Sequence, residues 1–350
     1  MKGRMIVLGR YRGREAAARL VDGRLEDLIL DPGEALAFAP GAILRATVDR
    51  QMKGQGGAFV RLPGGERGFL RETRGIAPGQ SLIVQIAGVA EAGKAAPVTL
   101  RLLFKGRLAI VTPMAPGLNI SRRIRETEVR ARLERIAERS MAGAEAGLIL
   151  RSAAEAAAEE EIAEEIATLR SLAEAIAGDS VGPRELLLDA PGPHEEAWRD
   201  WSDPAPAAVD QEDGAFARHG IDEMIAQIGA ASVRLAGGGE MAIETTRALV
   251  AVDVNTGSDS SPAAGLRANI EAARELPRQL RLRGLGGMVV IDAAPMPKRD
   301  RAAFEQQLRA AFRGDAGDTA LAGWTPLGNY ELQRRRDRLP LARLMQGDGA

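Results

Sequence analysis

The chain has 350 residues, a formal net charge of −1, 45% hydrophobic residues and no cysteine. This excludes disulfides, thiolate nucleophiles and cysteine zinc sites, and two histidines, His194 and His219, are too few for a histidine-rich metal centre. Any divalent ion would need oxygen ligands, which favours Mg²⁺, Mn²⁺ or Ca²⁺. The opening "MKGRMIVLGRYRG" lacks the apolar core of a signal peptide, and charges interrupt every aliphatic run. A soluble, cytoplasmic protein with no membrane segment is expected.

Residues 1 to 35 read as a short strand pair, "RMIVLGR" and "AAARLVDGRLEDLIL", with a turn at Asp22-Gly23. From 36 to 106, short alternating runs are split by glycine turns, which predicts a small antiparallel barrel. "GRLAIVTP" and "AGLILRSA" read as further strands. Between them "SRRIRETEVRARLERIAERS" reads as a helix opened by Ser121, and an alanine-rich helix follows, closed by Gly178. The proline- and acid-rich stretch 190 to 215 reads as an irregular connection, and "GIDEMIAQIG" as a short helix. A hairpin turning at Gly237 to Gly239 leads into a strand–helix–strand–helix run, an α/β unit with parallel neighbouring strands.

Positive charge is almost all arginine, concentrated in "SRRIRETEVRARLER", "RQLRLRG" and "ELQRRRDRLPLARL". Planar guanidinium forks suit phosphates, but a solvated helix face explains any one cluster equally well. The sharper signal lies in "ALVAVDVNTGS" and "GGMVVIDAAPM". Asp253 and Asp292 end two buried strands joined by one crossover, with Asn255 two residues beyond the first. Ligands of parallel sheets bind beyond such strand ends. One metal could bridge the pair; carboxylates capping the following turns are the competing reading.

The same residues resemble the catalytic core of the ribonuclease E/G family. "ALVAVDVNTGS" and "ANIEAARELPRQLRLRGLGGMVVIDAAPM" carry the resemblance, with "LGNYELQRRR", "GLNISRRI" and "GLILRSA" matching further segments. The resemblance runs along essentially the whole chain, most weakly over 180 to 225. It implies an α/β multidomain protein: an RNase H-like domain with an inserted OB-fold barrel and 5′-sensor region, followed by a DNase I-like α/β catalytic subdomain. The expected boundaries are 1–35 and 189–236 for the RNase H-like parts, 36–106 for the barrel, 107–188 for the sensor-like region and 237–350 for the catalytic subdomain.

The resemblance also implies a function: a Mg²⁺-dependent endoribonuclease (Mn²⁺ substituting, zinc not used) that hydrolyses single-stranded RNA. Asp253 and Asp292 fall on the family's metal-binding aspartates, and Asn255 on its catalytic asparagine. Phe59 and Phe69 match two RNA-stacking aromatics, with barrel core as the alternative for both. Arg151 and Ser152 match a pocket that senses a 5′-monophosphate, whose third basic group finds only Asp318 or its neighbours. Pro295 stands where the family carries a second acidic residue, and Arg247 where it carries a glutamate, with Glu244 nearby. The family's Cys-x-x-Cys zinc link and small dimerisation domain have no counterpart, so any homo-oligomer is expected to form without a zinc link. Two other readings stand: an RNA-binding protein of the same fold with little catalysis, and a phosphate-binding regulator whose aspartates are structural.

Overall fold

The computed structural model describes residues 3–52, 56–91, 93–259, 261 and 263–346. The last four positions of the expected catalytic subdomain thus lie outside the described residues. Among the described residues the fold is mixed α/β with four sheets, and five strands of one of them close into a barrel.

The N-terminal sheet begins with β1 (Arg4–Tyr11), β2 (Arg14–Val21) and β3 (Arg24–Leu30). The sequence suggested two strands here; there are three, because a second tight turn falls at Arg12-Gly13. Arg12 has φ 49° and Gly13 φ 77°, matching Asp22 at 51° and Gly23 at 80° in the expected turn. Two consecutive positive φ values make the turn that suits the twist of a hairpin. Met5 to Leu8 and Ala16 to Ala18 are all buried, because elements cover both faces of this sheet.

The barrel consists of β4 (Ile43–Gln51), β5 (Ala58–Arg61), β6 (Arg67–Leu70), β7 (Ser81–Ile86) and β8 (Ala96–Thr99). Their order is β4-β5-β6-β8-β7, and β7 pairs back onto β4 to close it. Ala46, Val48, Val60, Leu70 and Val84 fill the interior.

A third sheet has the order β11 (Leu118–Ile120), β12 (Gly147–Leu150), β10 (Ala109–Thr112), β9 (Phe104–Lys105). Helices α1 (Thr127–Ser140) and α2 (Glu159–Gly178) pack on it around Leu133, Ile136, Ile162 and Ile166. The helix expected from Ser121 starts six residues later. Ser121 N–H instead donates to Leu150 O, which continues the parallel pairing of β11 with β12. Glu165 of α2 accepts from the N–H groups of Arg107, Leu108 and Ala109, fixing the entry to β10.

After β13 (Leu186–Leu188), the stretch read as irregular contains α3 (Pro193–Trp201) and β14 (Ala208–Asp210). Pro193 occupies the first turn, where its missing N–H costs nothing, and Ala197 and Trp201 bury one narrow stripe against the N-terminal sheet. β14 then pairs in parallel with β1. Helices α4 (Ala215–Arg218) and α5 (Ile221–Ile228) cover the opposite face of that sheet.

The C-terminal sheet runs β15 (Ser232–Arg234), β16 (Glu240–Thr245), β17 (Val250–Asn255), β18 (Gly287–Asp292), β20 (Tyr330–Arg334), β19 (Thr319–Trp324). The crossover α6 (Ala264–Leu282) and α7 (Arg301–Arg313) share one core with its inner face. β19 and β20, beyond the strand–helix–strand–helix pattern, extend the sheet on the β18 side. The short α8 (Leu341–Gln346) follows. Among the described residues, no helix is long and apolar enough to cross a membrane.

Candidate active site and nucleic-acid interface

Strand periodicity sets the geometry of the carboxylate face. Val250, Val252 and Val254 of β17 point into the core, as do Val289 and Ile291 of β18. Side chains alternate along a strand, so Asp253, Asn255 and Asp292 emerge on the opposite, exposed face. β17 and β18 are parallel neighbours with Asp253 directly opposite Asp292. Adjacent strands lie about 4.8 Å apart, which brings the two carboxylates within reach of one small ion. The Asn255 side-chain amide donates to Asp253 Oδ2 at 2.8 Å and fixes that carboxylate's orientation. On the other flank, Ala242 of β16 lies opposite Asp253 and leaves the space beside it open.

The loops at this edge are held from below. Asn269, fully buried on α6, donates from Nδ2 to Ala294 O and accepts from Ala294 N–H through Oδ1, both at 2.9 Å. This clamp fixes the chain two residues after Asp292. Its signal in the sequence is an asparagine on the apolar stripe of α6, which sequence reasoning passed over. At the other strand, a Cβ on Gly239 would lie 2.5 Å from Asn255 O, so only glycine lets the hairpin turn approach the end of β17 so closely.

The donor set suits a hard cation. Two carboxylates supply oxygen ligands, and Mg²⁺ typically takes one or two carboxylates and keeps several waters. Among the described residues no group of three or more His, Cys, Asp or Glu side chains is placed to hold a metal. A fully protein-ligated cage is therefore not what this face offers. Of the departures from the family pattern, Pro295 and Arg247 are both exposed, and Glu244 points to the same face as Asp253 two residues from Ala242.

On the barrel, Phe59 of β5 and Phe69 of β6 are cross-strand partners. Ala58 and Val60 point inward, so both rings lie on the outer surface, half-buried rather than in the core. Their centroids are 5.4 Å apart in an edge-to-face arrangement, and the Arg50 guanidinium sits 5.4 Å from the Phe59 centroid. An aromatic pair with a neighbouring cation is a surface on which a base can stack.

Arg151 and Ser152 are already engaged. Arg151 donates to Gly106 O at 2.7 Å, to Arg199 O at 3.2 Å and to Asp200 Oδ1 at 2.7 Å. Ser152 Oγ donates to Asp203 Oδ2 at 2.6 Å. Partial removal from water would raise the Asp200 carboxyl; the hydrogen bond from Arg199 and the charge of Arg151 outweigh it and hold it below the usual carboxylate range. Arg123, from the "SRRI" segment, donates to Ser152 Oγ at 3.4 Å and is a basic group the sequence did not single out. Asp318 is exposed and brings no positive charge.

The ribonuclease E/G family pattern matches residues 104–213 and 206–337. The chain is 27% identical to ribonuclease E of Nostoc sp. over 377 residues, covering 92% of this chain and 54% of that protein. It is 25% identical to ribonuclease G of Salmonella typhimurium, covering 93% of this chain and 78% of that one. Identity rises to 39% over 127 residues shared with ribonuclease E of Escherichia coli, 35% of this chain and 12% of that protein. The chain thus spans about half the length of its Nostoc relative. The family pattern takes in both the sheet that carries Asp253 and Asp292 and the third sheet with its two helices, and on that breadth of match the chain belongs to the ribonuclease E/G family.

Proposed function

We propose that this protein is a metal-dependent endoribonuclease acting on single-stranded RNA in RNA processing or decay, with Mg²⁺ as the working ion. The observation that carries the reading is the in-register pairing of Asp253 with Asp292 on an exposed sheet face, inside a chain of this family. We further assign the N-terminal sheet to an RNase H-like domain, the barrel to an OB-type RNA-binding domain and the C-terminal sheet to a DNase I-like subdomain.

Asp253 and Asp292 would hold the ion, which supplies Lewis acidity by lowering the pKa of water and offsetting charge on phosphoryl oxygens. Asn255 keeps the Asp253 carboxylate turned outward. The Asn269 clamp ties the chain two residues after Asp292 to α6. Phe59 and Phe69 contribute stacking surface, and the arginines supply phosphate contacts.

The primary test is cleavage of a short single-stranded RNA with Mg²⁺ and with excess EDTA. Cleavage abolished by EDTA and restored by Mg²⁺ is expected. Tight binding without cleavage under any divalent ion would instead make the protein an RNA-binding member of the fold.

Two further results are expected. Phe59→Ala and Phe69→Ala should each weaken RNA binding by about 1–3 kcal/mol per stacked base, while hydrolysis of saturating substrate persists. Filter binding with the two variants measures this; unchanged affinity in both would remove the rings from the RNA path. Second, preference for 5′-monophosphate over 5′-hydroxyl RNA should be below about tenfold, roughly 1.4 kcal/mol. A terminal phosphate would have to displace Asp200 from Arg151 and Asp203 from Ser152. Cleavage rates on the two matched RNAs decide it, and a preference of hundreds-fold would show that the phosphate is read elsewhere.

A further inference from the structure

The two carboxylates of the open face are not held alike. Asp253 lies inside β17, with Ala242 opposite it on one side and Asp292 on the other, and Asn255 orients its carboxylate. Asp292 is the last residue of β18. Its ladder is one-sided: β18 still meets β17 at Asp292, but its pairing with β20 stops one residue earlier, at Ile291 and Tyr330. No hydrogen bond or ion pair holds the Asp292 carboxylate among the described residues. The backbone on either side must therefore set its place, and on one side the strand has ended.

The next fixed points lie on α6. Ala294, two residues beyond Asp292, is buried, and the Asn269 amide pairs with both its N–H and its C=O. Asn269 Nδ2 also lies 3.4 Å from Met296 Sδ. One helical turn earlier, on the same face of α6, a Cβ on Gly265 would lie 2.0 Å from Pro295 O. Glycine thus lets the helix come up against the loop, and the amide meets the polar backbone that the ladder no longer reaches. A buried amide is costly unless its polar atoms are satisfied. Here both are spent on a single residue of the loop that follows Asp292.

We propose that Asn269 and Gly265 are positioning residues that seat Asp292 opposite Asp253 and so set the pair's affinity for a divalent ion, a role that rests on reading the pair as a metal site. Groups that hold a metal's ligands rather than the metal typically change its affinity by about ten- to a hundredfold when removed. An amide that only satisfied a buried loop would add stability and leave the folded chain's ion affinity unchanged.

The test is Mn²⁺ binding to the full chain without RNA, followed by the electron spin resonance of the free ion, beside urea unfolding of the same samples. The wild-type chain should bind Mn²⁺, and Asp253→Asn should abolish that binding. Asn269→Leu and Gly265→Ala should each weaken it by about tenfold or more. Gly265→Ala takes no polar group from the core, and alanine suits a helix better than glycine, so it displaces the loop in a chain that still folds. It decides the matter if Asn269→Leu does not fold. Unchanged Mn²⁺ affinity in folded Gly265→Ala, with wild-type binding still lost in Asp253→Asn, would overturn this proposal alone. A wild-type chain that binds no Mn²⁺, or binding that survives Asp253→Asn, would remove the metal reading and the proposal together.

Discussion

Asp253→Asn and Asp292→Asn are each expected to lower RNA cleavage by about a thousandfold, roughly 4 kcal/mol of barrier, while leaving RNA binding largely intact. The two carboxylates face each other across a parallel strand pair, and each would contribute one formal charge to holding the ion. An amide keeps the shape and the hydrogen-bonding reach but removes that charge, so the change isolates electrostatics from packing. Both side chains are exposed, so neither substitution disturbs a core. Asn255→Ala should cost less, because it removes only the 2.8 Å hydrogen bond that orients Asp253. Single-turnover cleavage beside equilibrium binding of the same RNA separates the two effects. Near-normal cleavage in either aspartate variant, or in excess EDTA, would defeat the assignment. Binding should also weaken steeply as salt rises if arginines contact the phosphate backbone.

The second large effect concerns stability. Asp27, on β3, is 2% exposed and sits among three arginines, Arg19 opposite it on β2 and Arg281 and Arg338 from far along the chain. Arg338 donates to its Oδ1 at 2.5 Å, with Arg281 at 3.5 Å and Arg19 at 3.7 Å from Oδ2. Arg281 also reaches Asp315, which in turn pairs with Arg334. The network ties the N-terminal sheet to α6 and to the end of the C-terminal sheet. Asp27→Ala takes from Arg338 the carboxylate it binds and removes one of the carboxylates around Arg281, and removing one partner of a buried ion pair costs about 3–5 kcal/mol. Urea unfolding at neutral pH measures it, and a loss under about 1 kcal/mol would mean that water replaces the carboxylate.

The pH dependence follows from the same network. Burial alone would raise the Asp27 carboxyl, but Arg338 and Arg281 outweigh it and hold its pKa below the ordinary value. A depressed folded-state pKa adds stability that is present above the unfolded value, about 4, and is lost as pH falls through the lower folded value. The wild-type chain should therefore lose stability in acid more steeply than Asp27→Asn.

Whatever depended on local pattern could be read from the sequence. The valines of β17 and β18 and the aspartates that interrupt them announced two strands with carboxylates at their ends, and the paired register agrees. Glycine-spaced runs announced the barrel, which closes through β4 and β7. What escaped was set by partners far along the chain. In α3 only Pro193, Ala197 and Trp201 are buried, a stripe too thin to show through the surrounding prolines and acids. The strand β11 forms because β12 lies beside it, and that delays α1 beyond Ser121. Asp27 gives no local hint that its partners are 254 and 311 positions away. The engagement of Arg151 and Ser152 by Asp200 and Asp203 is equally invisible to motif matching, because the carboxylates arrive on α3 and the turn that follows it.

The register of β17 against β18 has a consequence for how this chain can change length. Side chains alternate along a strand, so adding or deleting one residue between Gly287 and Asp292 would turn Asp292 from the open face into the core beneath α6 and α7. The same single-residue change between Gly257 and Asp259, in the loop before α6, would leave both aspartates on their face, because the loop absorbs it. Insertion tolerance should therefore differ between the two segments on either side of α6: permissive in the loop, forbidding in the strand. A scan of single-alanine insertions across residues 256 to 292 would trace that difference directly.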